Sequence, residues 1–138
     1  MPIKTKRWCD SKKKSDGYRL LICQYRPRAL PKEKETWDTW IKELGPSKEL
    51  HAAFYGKQGA PIDWEEYRRR YLEEMKGMEE IIDELAALVA EGKTITLLCS
   101  SACKDARHCH RTLLKELIEA RVPLHQKPAA PVETADAT

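Results

Sequence analysis

The segment from Thr94 to Arg121 joins a predicted strand to a predicted helix through a loop of chemically reactive side chains. Thr94–Leu98 is a run of β-branched and apolar residues, which is typical of a buried strand. The reactive residues of the loop and helix start are Cys99, Cys103, His108, Cys109, His110 and Arg111. Because α/β proteins commonly place ligands where a strand ends and a helix begins, this segment is the candidate functional site.

The helix start at Cys109-His110-Arg111 is suited to an anionic ligand. Backbone N–H groups of a first helical turn have no acceptor within the helix, and the helix dipole favours negative charge there. The planar guanidinium of Arg111 can bind a phosphate or a carboxylate through two hydrogen bonds. Ser100 and Ser101, in the loop before the helix, add hydroxyl groups to this candidate ligand-binding set.

Two further arginines follow a second predicted strand, Tyr18–Cys23. Pro27 lacks a backbone N–H and ends regular pairing, so Arg26 and Arg28 lie just past the strand end. Parallel pairing with Thr94–Leu98 would bring these arginines to the same edge of the sheet as the reactive loop. The leading interpretation is a pocket for an anionic, phosphate-bearing ligand, such as a nucleotide or a nucleic acid. Ordinary surface arginines on a loop are the alternative.

A cysteine-dependent enzyme is the second interpretation, with Cys109 or Cys99 as nucleophile and His110 or His108 as base. A thiol at a helix start beside cations loses its proton more readily than a free cysteine does. Cys109 should therefore be the most reactive cysteine of the chain. The alternative is structural, because cysteine is often a small core residue, above all at the end of a buried strand.

A metal-binding or regulatory interaction module is the third interpretation. The array Cys99-x3-Cys103-x5-Cys109-His110 contains the ligand types that zinc prefers. Its spacing lacks the closely paired cysteines of structural zinc sites and crosses from a strand to a helix, so we expect no metal and no other cofactor. The phosphatase-type loop, in which an arginine stands six positions after the cysteine, is also absent at these cysteines.

The composition is typical of a globular cytoplasmic protein. The chain has 138 residues, of which 41% are hydrophobic and 34% charged, enough for one domain with its own core. The net charge of +3 is too small to indicate nucleic-acid binding by itself. No apolar run approaches the ~18–20 residues of a membrane span, and the N-terminus does not resemble a signal peptide. The odd count of five cysteines favours reduced thiols.

Apolar periodicity and turn residues predict an α/β fold, with a small, mainly parallel sheet flanked by helices in one compact domain. The predicted strands are Ile3–Trp8, Tyr18–Cys23, Thr94–Leu98 and, at an edge, Val122–His125. The predicted helices are Pro31–Leu44, Lys48–Tyr55, Asp63–Glu91 with a bend near Gly77, and the helix that starts around Cys109. Residues 1–125 should form the domain, and the Ala- and Pro-rich residues 126–138 a disordered tail.

Two blocks of sequence, which together span residues 3–125, resemble a known family. The first block is Ser15-Asp16-Gly17-Tyr18-Arg19 through Pro27-Arg28, followed by Trp40, Pro46-Ser47, Leu50, Phe54 and Tyr71-Leu72-Glu73-Glu74. The second block is Leu97-Leu98-Cys99, then Cys109-His110-Arg111, then Val122–His125. The first is similar to the YeaO-like branch of the domain of unknown function 488 family. The second resembles the Leu-Leu-Cys and Cys-His-Arg pattern of the broader family, with its closing strand.

The resemblance implies a compact α/β fold and a bacterial or archaeal cytosolic origin. It implies no activity, because the family is largely uncharacterised. The YeaO-like pattern has Asp-Arg before Trp-Pro-Arg, where this chain has Cys23-Gln24 before Arg26-Pro27-Arg28. The broader pattern has Glu two residues past the first cysteine, where this chain has Ser101. Each departure removes a carboxylate from the site that the resemblance implies.

Overall fold

A computed structural model gives the fold of the chain and describes residues 3–57, 59–100 and 105–126. The strands are β1 (Ile3–Arg7), β2 (Tyr18–Leu21), β3 (Thr39–Trp40) and β4 (Ile95–Cys99). The α-helices are α1 (Lys48–Phe54), α2 (Trp64–Met75), α3 (Glu79–Ala90) and α4 (His110–His125). Short 3-10 turns cover Lys14–Asp16, Lys32–Lys34, Lys42–Leu44, Lys76–Met78 and Ala106–His108.

The four strands form one parallel sheet in the order β1-β4-β2-β3. β4 is an interior strand: Ile95 pairs with Ile3 of β1 on one side and with Tyr18 of β2 on the other. Every residue of β4 is buried, as expected for an interior strand of a parallel sheet. The predicted α/β fold, with a small parallel sheet flanked by helices in a single compact domain, is confirmed.

Side chains of the sheet divide between two hydrophobic clusters, because successive residues of a strand point to opposite faces. Leu20 and Leu97 belong to the main cluster, which the apolar faces of α2, α3 and α4 complete. Leu21 and Leu98 belong to a second, smaller cluster that includes three buried cysteines, Cys23, Cys99 and Cys109. Three of the five thiols of the chain are therefore gathered around the carboxyl edge of the sheet.

Helices α1 and α2 begin at side-chain N-caps, Ser47 and Asp63. Ser47 Oγ accepts a hydrogen bond from the backbone N–H of Leu50 at 3.1 Å, and Asp63 Oδ1 accepts one from Glu66 at 2.9 Å. Each cap satisfies a backbone donor that has no acceptor within its helix.

The predicted bend of the long amphipathic segment Asp63–Glu91 is confirmed. The 3-10 turn Lys76–Met78 separates α2 from α3, so the segment covers the sheet as two helices and not as one straight rod. No helix among the described residues is long and apolar enough to cross a membrane.

The predicted helix Pro31–Leu44 is wrong, because this segment contains two 3-10 turns and the edge strand β3, which pairs with β2. The indole N–H of Trp40 donates to the carbonyl oxygen of Cys23 at 2.8 Å. The ring of Trp37 lies edge-on to Trp8, with 6.3 Å between the ring centroids. These contacts between residues distant in sequence outweigh the helical spacing of the segment's apolar residues.

The predicted edge strand Val122–His125 is also wrong, because α4 continues to His125 with Pro123 inside it. Pro123 has no backbone N–H, so it removes one hydrogen bond of the helix, but only two residues of α4 follow it. Val122 stands four residues after Ile118 and extends the same buried face of α4. Residues 127–138 of the predicted tail lie outside the described residues.

A buried carboxylate, Asp16, lies before β2 among positively charged groups. It accepts hydrogen bonds from Lys6 Nζ and from the backbone N–H of Lys13, each at 3.0 Å, and from the guanidinium of Arg19. Burial raises the pKa of Asp16, but the bonds to Lys6 and Lys13 and the charges of Lys6 and Arg19 outweigh it and lower the pKa to about 2. Asp16 therefore joins β1 to β2 as an ionised group.

Candidate functional site

The carboxyl ends of β2 and β4 meet at one edge of the sheet, as the sequence predicts. The backbone N–H of Ile22 donates to the carbonyl oxygen of Leu98, the penultimate residue of β4, at 3.0 Å. Cys99 is the last residue of β4, Cys109 is the N-cap of α4, and His110 is the first residue of that helix. Two strand ends and a helix start thus come together at one place, which is where parallel α/β sheets bind ligands.

Two thiols and one imidazole form a compact group that we call the thiol–imidazole cluster: Cys99, Cys109 and His110. The two Sγ atoms lie 3.2 Å apart, and each lies 4.0 Å from His110 Nδ1. All three side chains are buried, with exposed fractions of 2%, 2% and 6%. The structure therefore brings together the three residues that the sequence proposes as catalytic.

The orientation of the His110 ring follows from one backbone contact. His110 Nε2 lies 2.6 Å from the carbonyl oxygen of Ile22. A carbonyl oxygen only accepts hydrogen bonds, so Nε2 carries the proton and donates it. In the neutral ring Nδ1 then has the free lone pair and faces both sulfur atoms. This tautomer is the one that can take a proton from a thiol.

Opposing effects act on the pKa of His110. Burial alone would lower this pKa, but the charge of Cys99, its hydrogen bond and the bond to the Ile22 carbonyl outweigh burial and the charge of Arg111. The net result is a pKa raised above the ordinary value of a histidine. After burial, the charge of Cys99 is the largest of these effects, so the neighbouring sulfur favours the protonated form of the His110 ring.

The cluster forms the floor of a cavity of about 80 Å³. Rings surround it: the remaining walls include Tyr25, His51, Phe54, Tyr55, Tyr67 and His108. A cavity of this size holds a small reacting group and not a whole cofactor. A larger molecule could therefore place only one end against the cluster.

His51 is a second imidazole in the cavity wall, and the sequence interpretation missed it. Its ring lies between Tyr25 and Tyr55, with centroid distances of 5.2 Å and 4.6 Å. Burial and the charges of Lys57 and His110 lower the pKa of His51, against a small opposing effect of Cys99. The short helix α1 has no apolar stripe strong enough to predict which way this side chain points, so the sequence carries no signal for it.

A basic groove adjoins the cavity, and we define it by Arg28, Lys42, Lys48 and Lys57, with Tyr25 and Trp40. Arg26 also lines the groove, but Glu35 pairs with its charge. Its volume is about 650 Å³. Tyr25 and Gln24 line both the groove and the cavity, so the two spaces are direct neighbours. The cations of the groove therefore lie next to the cavity whose floor is the thiol–imidazole cluster.

The two arginines that the sequence places after β2 have different surroundings. Arg26 donates from Nε to Glu35 Oε2 at 2.8 Å, and this ion pair neutralises much of its charge. Arg28 is exposed and has no ion pair among the described residues. Ser100 lines the cavity and also a small groove that contains both arginines.

Arg111 is separate from the cavity. Its side chain is buried, and it is not among the described residues that line the cavity. Hydrogen bonds from Arg7 lower the pKa of Asp10, and the charge of Arg111 adds to this effect, so Arg111 acts near the end of β1. Two other predicted site residues, Ser101 and Cys103, lie outside the described residues.

The thiol–imidazole cluster is also the one group of three potential metal ligands within the described ranges of the chain. Its ligand atoms lie within 4.8 Å of one another, and Nε2–H of His110 has the backbone acceptor that a metal-bound histidine usually has. In a tetrahedral zinc site with Zn–S bonds of ~2.3 Å, two sulfur atoms are about 3.8 Å apart. The sulfurs here are closer, at 3.2 Å, so a zinc ion would have to separate them.

Comparison with known families decides where the chain belongs. A family model described as "Active DUF488-N3 subclade" matches residues 3–122, which include β1, the cavity residues and most of α4. The chain belongs to this DUF488 subclade. The resemblance that the sequence analysis draws from its two motif blocks is therefore confirmed.

Individual relatives agree with this assignment. The protein of Escherichia coli K12 named "Uncharacterized protein YeaO" is 34% identical over 120 residues, 87% of this chain and 99% of that protein. "Uncharacterized protein Rv3073c" of Mycobacterium tuberculosis is 26% identical over 106 residues, 77% of this chain and 84% of that protein. No solved structure matches the chain.

Proposed function

We propose that this DUF488 protein is a cysteine-dependent enzyme that acts on an anionic, phosphate-bearing substrate. Cys109 is the nucleophile and His110 its base, with Cys99 as the alternative nucleophile. One observation carries the proposal: the Ile22 carbonyl accepts from His110 Nε2, which leaves Nδ1 facing two thiols at the floor of a cavity. Nucleophilic cysteines need such a base within reach, itself oriented by a third group.

The geometry supports a specific order of proton transfers. The thiol proton of Cys109 passes to His110 Nδ1, which gives an imidazolium and a thiolate. The thiolate forms a bond to an electrophilic atom of the substrate while the bond to the leaving group breaks. The imidazolium then returns its proton to the leaving group. Water, deprotonated by the neutral His110, releases the product and restores the thiol.

Both sulfurs lie 4.0 Å from Nδ1, so distance alone does not select the nucleophile. Cys109 is favoured because it is the N-cap of α4, where the helix dipole stabilises negative charge. Cys99 ends a buried strand and lacks this field. It does supply charge that stabilises the imidazolium of His110.

The substrate assignment rests on the basic groove. Four cations, Arg28, Lys42, Lys48 and Lys57, lie beside a cavity that admits only a small group. Phosphate groups of a larger molecule would bind these cations while its reactive end enters the cavity. The thiols must be reduced for this chemistry, which agrees with a cytoplasmic location.

Site-resolved alkylation tests the proposal. Iodoacetamide labelling of each cysteine, measured by mass spectrometry from about pH 5.5 to about pH 9, reports how readily each thiolate forms. We expect Cys109 to label at about pH 6 faster than Cys103 and faster than Cys9, although Cys9 is exposed and Cys109 is buried.

Two serine variants identify the nucleophile. Cys109→Ser should abolish the fast iodoacetamide labelling at about pH 6, whereas Cys99→Ser should keep it. The opposite pattern would move the nucleophile to Cys99. Equal labelling of Cys109, Cys9 and Cys103 at pH of about 6 would overturn the enzyme proposal and leave anion binding alone.

A further inference from the structure

Exposed aromatic rings concentrate at the mouth of the cavity. Among the described residues, four large hydrophobic side chains are exposed, and three of them are Tyr25, Trp40 and Tyr55, at 50%, 37% and 48%. Tyr25 and Trp40 line the basic groove, and Tyr55 lines the adjoining cavity. Single exposed apolar side chains are ordinary, whereas several that lie together are typical of a binding surface.

These rings are held in fixed orientations. The indole N–H of Trp40 donates to the carbonyl oxygen of Cys23 at 2.8 Å. The ring of Tyr25 meets the ring of His51 edge-on, at 78° and 5.2 Å. The Trp40 contact uses the N–H edge of the indole, so this ring can offer a face without first losing rotational freedom.

The charges around the rings have one sign. Arg28, Lys42, Lys48 and Lys57 line the groove, all are exposed, and none has an ion pair within the described ranges of the chain. No acidic side chain lines the groove. Because the chain as a whole carries only +3, this concentration of positive charge is local.

We propose that the basic groove binds single-stranded nucleic acid, with phosphates on its four cations and bases stacked on Tyr25 and Trp40. The proposal deepens the proposed function, since it names the substrate class of the same site. Aromatic rings and cations that line one groove match the base and phosphate units of a single strand. One nucleotide of the bound strand then reaches the cavity and places its base or sugar against the thiol–imidazole cluster.

A single strand fits better than a duplex for a physical reason. Stacking on a protein ring requires an unpaired base with an open face, and the bases of a duplex stack on each other. A cavity of about 80 Å³ also admits only part of one nucleotide, so the reacting unit must be extended out of any stack.

Fluorescence anisotropy with labelled single strands of DNA and RNA, each about ten nucleotides long, tests the inference. We expect single strands to bind more tightly than a duplex of equal length and more tightly than a mononucleotide. The logarithm of the binding constant should fall with the logarithm of salt concentration with a slope of about −3, from ~0.7 per phosphate contact at four cations.

Two variants separate charge from stacking. Lys42→Ala with Lys48→Ala should reduce the salt slope by about 1.4, whereas Lys12→Ala with Lys14→Ala, a change of equal charge outside the groove, should not alter it. Tyr25→Leu should weaken binding by about tenfold and leave the salt slope unchanged. Trp40→Leu provides a second test of stacking at the other ring.

Three results would overturn the inference: equal affinity for single strands and duplex, equal affinity for a mononucleotide, or no effect of either aromatic substitution. The alkylation of Cys109 in protein without nucleic acid tests the enzyme proposal independently. Fast alkylation with no strand binding would reject the nucleic acid and keep the enzyme. If both proposals hold, a bound strand should slow the alkylation of Cys109.

Discussion

His110 Nε2 lies 2.6 Å from the carbonyl oxygen of Ile22, and this contact fixes which ring nitrogen faces the two thiols. A backbone acceptor differs from the side-chain carboxylate that commonly orients a catalytic histidine. It has no charge, so it selects the tautomer without adding a fixed negative group to the cavity. The contact with Ile22 therefore orients the ring without adding an anion next to the two sulfur atoms.

Replacement of His110 should remove the base and leave the thiols in place. For His110→Asn we expect alkylation of Cys109 at about pH 6 to fall to the rate of an ordinary cysteine, with half-maximal labelling near the usual ~8.5. His108→Asn is the matched variant, because His108 also lines the cavity but contacts Trp64 and Asp105. Loss of low-pH labelling in His108→Asn alone would make His108 the base.

Zinc should not bind jointly to Cys99, Cys103 and Cys109. The observed sulfur separation of 3.2 Å between Cys99 and Cys109 is shorter than the ~3.8 Å of a tetrahedral zinc site. We expect protein from zinc-supplemented cultures to contain much less than one zinc per chain by elemental mass spectrometry. One zinc per chain that is lost in both Cys103→Ser and Cys109→Ser would show the expectation to be wrong.

Loss of the charge on Asp16 should destabilise the fold in a pH-dependent way. Its pKa of about 2 lies below the ordinary 3.8, so ionised Asp16 contributes about 2 kcal/mol of stability. Because the folded pKa is lowered, the contribution is complete above 3.8 and disappears as the pH falls through 2. Urea unfolding of Asp16→Asn should show this loss at pH of about 7, and a smaller difference from wild type near pH 2.

An acceptable control is Asp63→Asn, which keeps an N-cap able to accept the hydrogen bond from Glu66 and is exposed. Its stability should follow the wild type within about 0.5 kcal/mol over the same pH range. If both aspartate variants show the same pH dependence, the buried ion pairs of Asp16 with Lys6 and Arg19 do not carry the effect.

A methyl group at Gly45 should disturb the acceptor of His110. A Cβ built there would lie 2.8 Å from the Ile22 carbonyl oxygen and 2.8 Å from Gln24 N, so the backbone would have to shift. We expect Gly45→Ala to lower the free energy of unfolding by about 1–3 kcal/mol and to slow low-pH alkylation of Cys109. Gly77→Ala is the control, since a Cβ there meets no atom within 4 Å.

The parts of the site that lie at strand ends could be predicted from the sequence. The apolar run Thr94–Leu98 and the helical spacing after Arg111 bracket Cys99, Cys109 and His110, and a parallel sheet then brings them to one edge. The apolar spacing of a strand or a helix repeats over several residues, so an error of one or two residues in a predicted boundary does not change the predicted element. The same logic placed Arg28 at this edge.

Other parts of the site carry no sequence signal. The acceptor of His110 is the backbone carbonyl of Ile22. Every residue has such a carbonyl, so the type of side chain at position 22 does not predict this contact. His51 lines the cavity because of the way that α1 packs, and the sequence does not predict which face of this short helix borders the cavity. Trp40 belongs to a segment whose helical spacing was misleading, and its long-range bond to Cys23 decides the outcome.

The parallel order of the sheet also determines when the site comes into existence during folding. Ile22 and His110 are 88 residues apart in the sequence, and they meet only after β2 has paired with β4 and α4 has docked. Contacts between such distant residues are slow to form, because a long loop must close first. A newly synthesised chain would thus pass through a period in which the Ile22 carbonyl does not yet orient the His110 ring toward the two thiols. The onset of fast alkylation at Cys109 would mark the end of that period, so the alkylation rate would report how far folding has progressed.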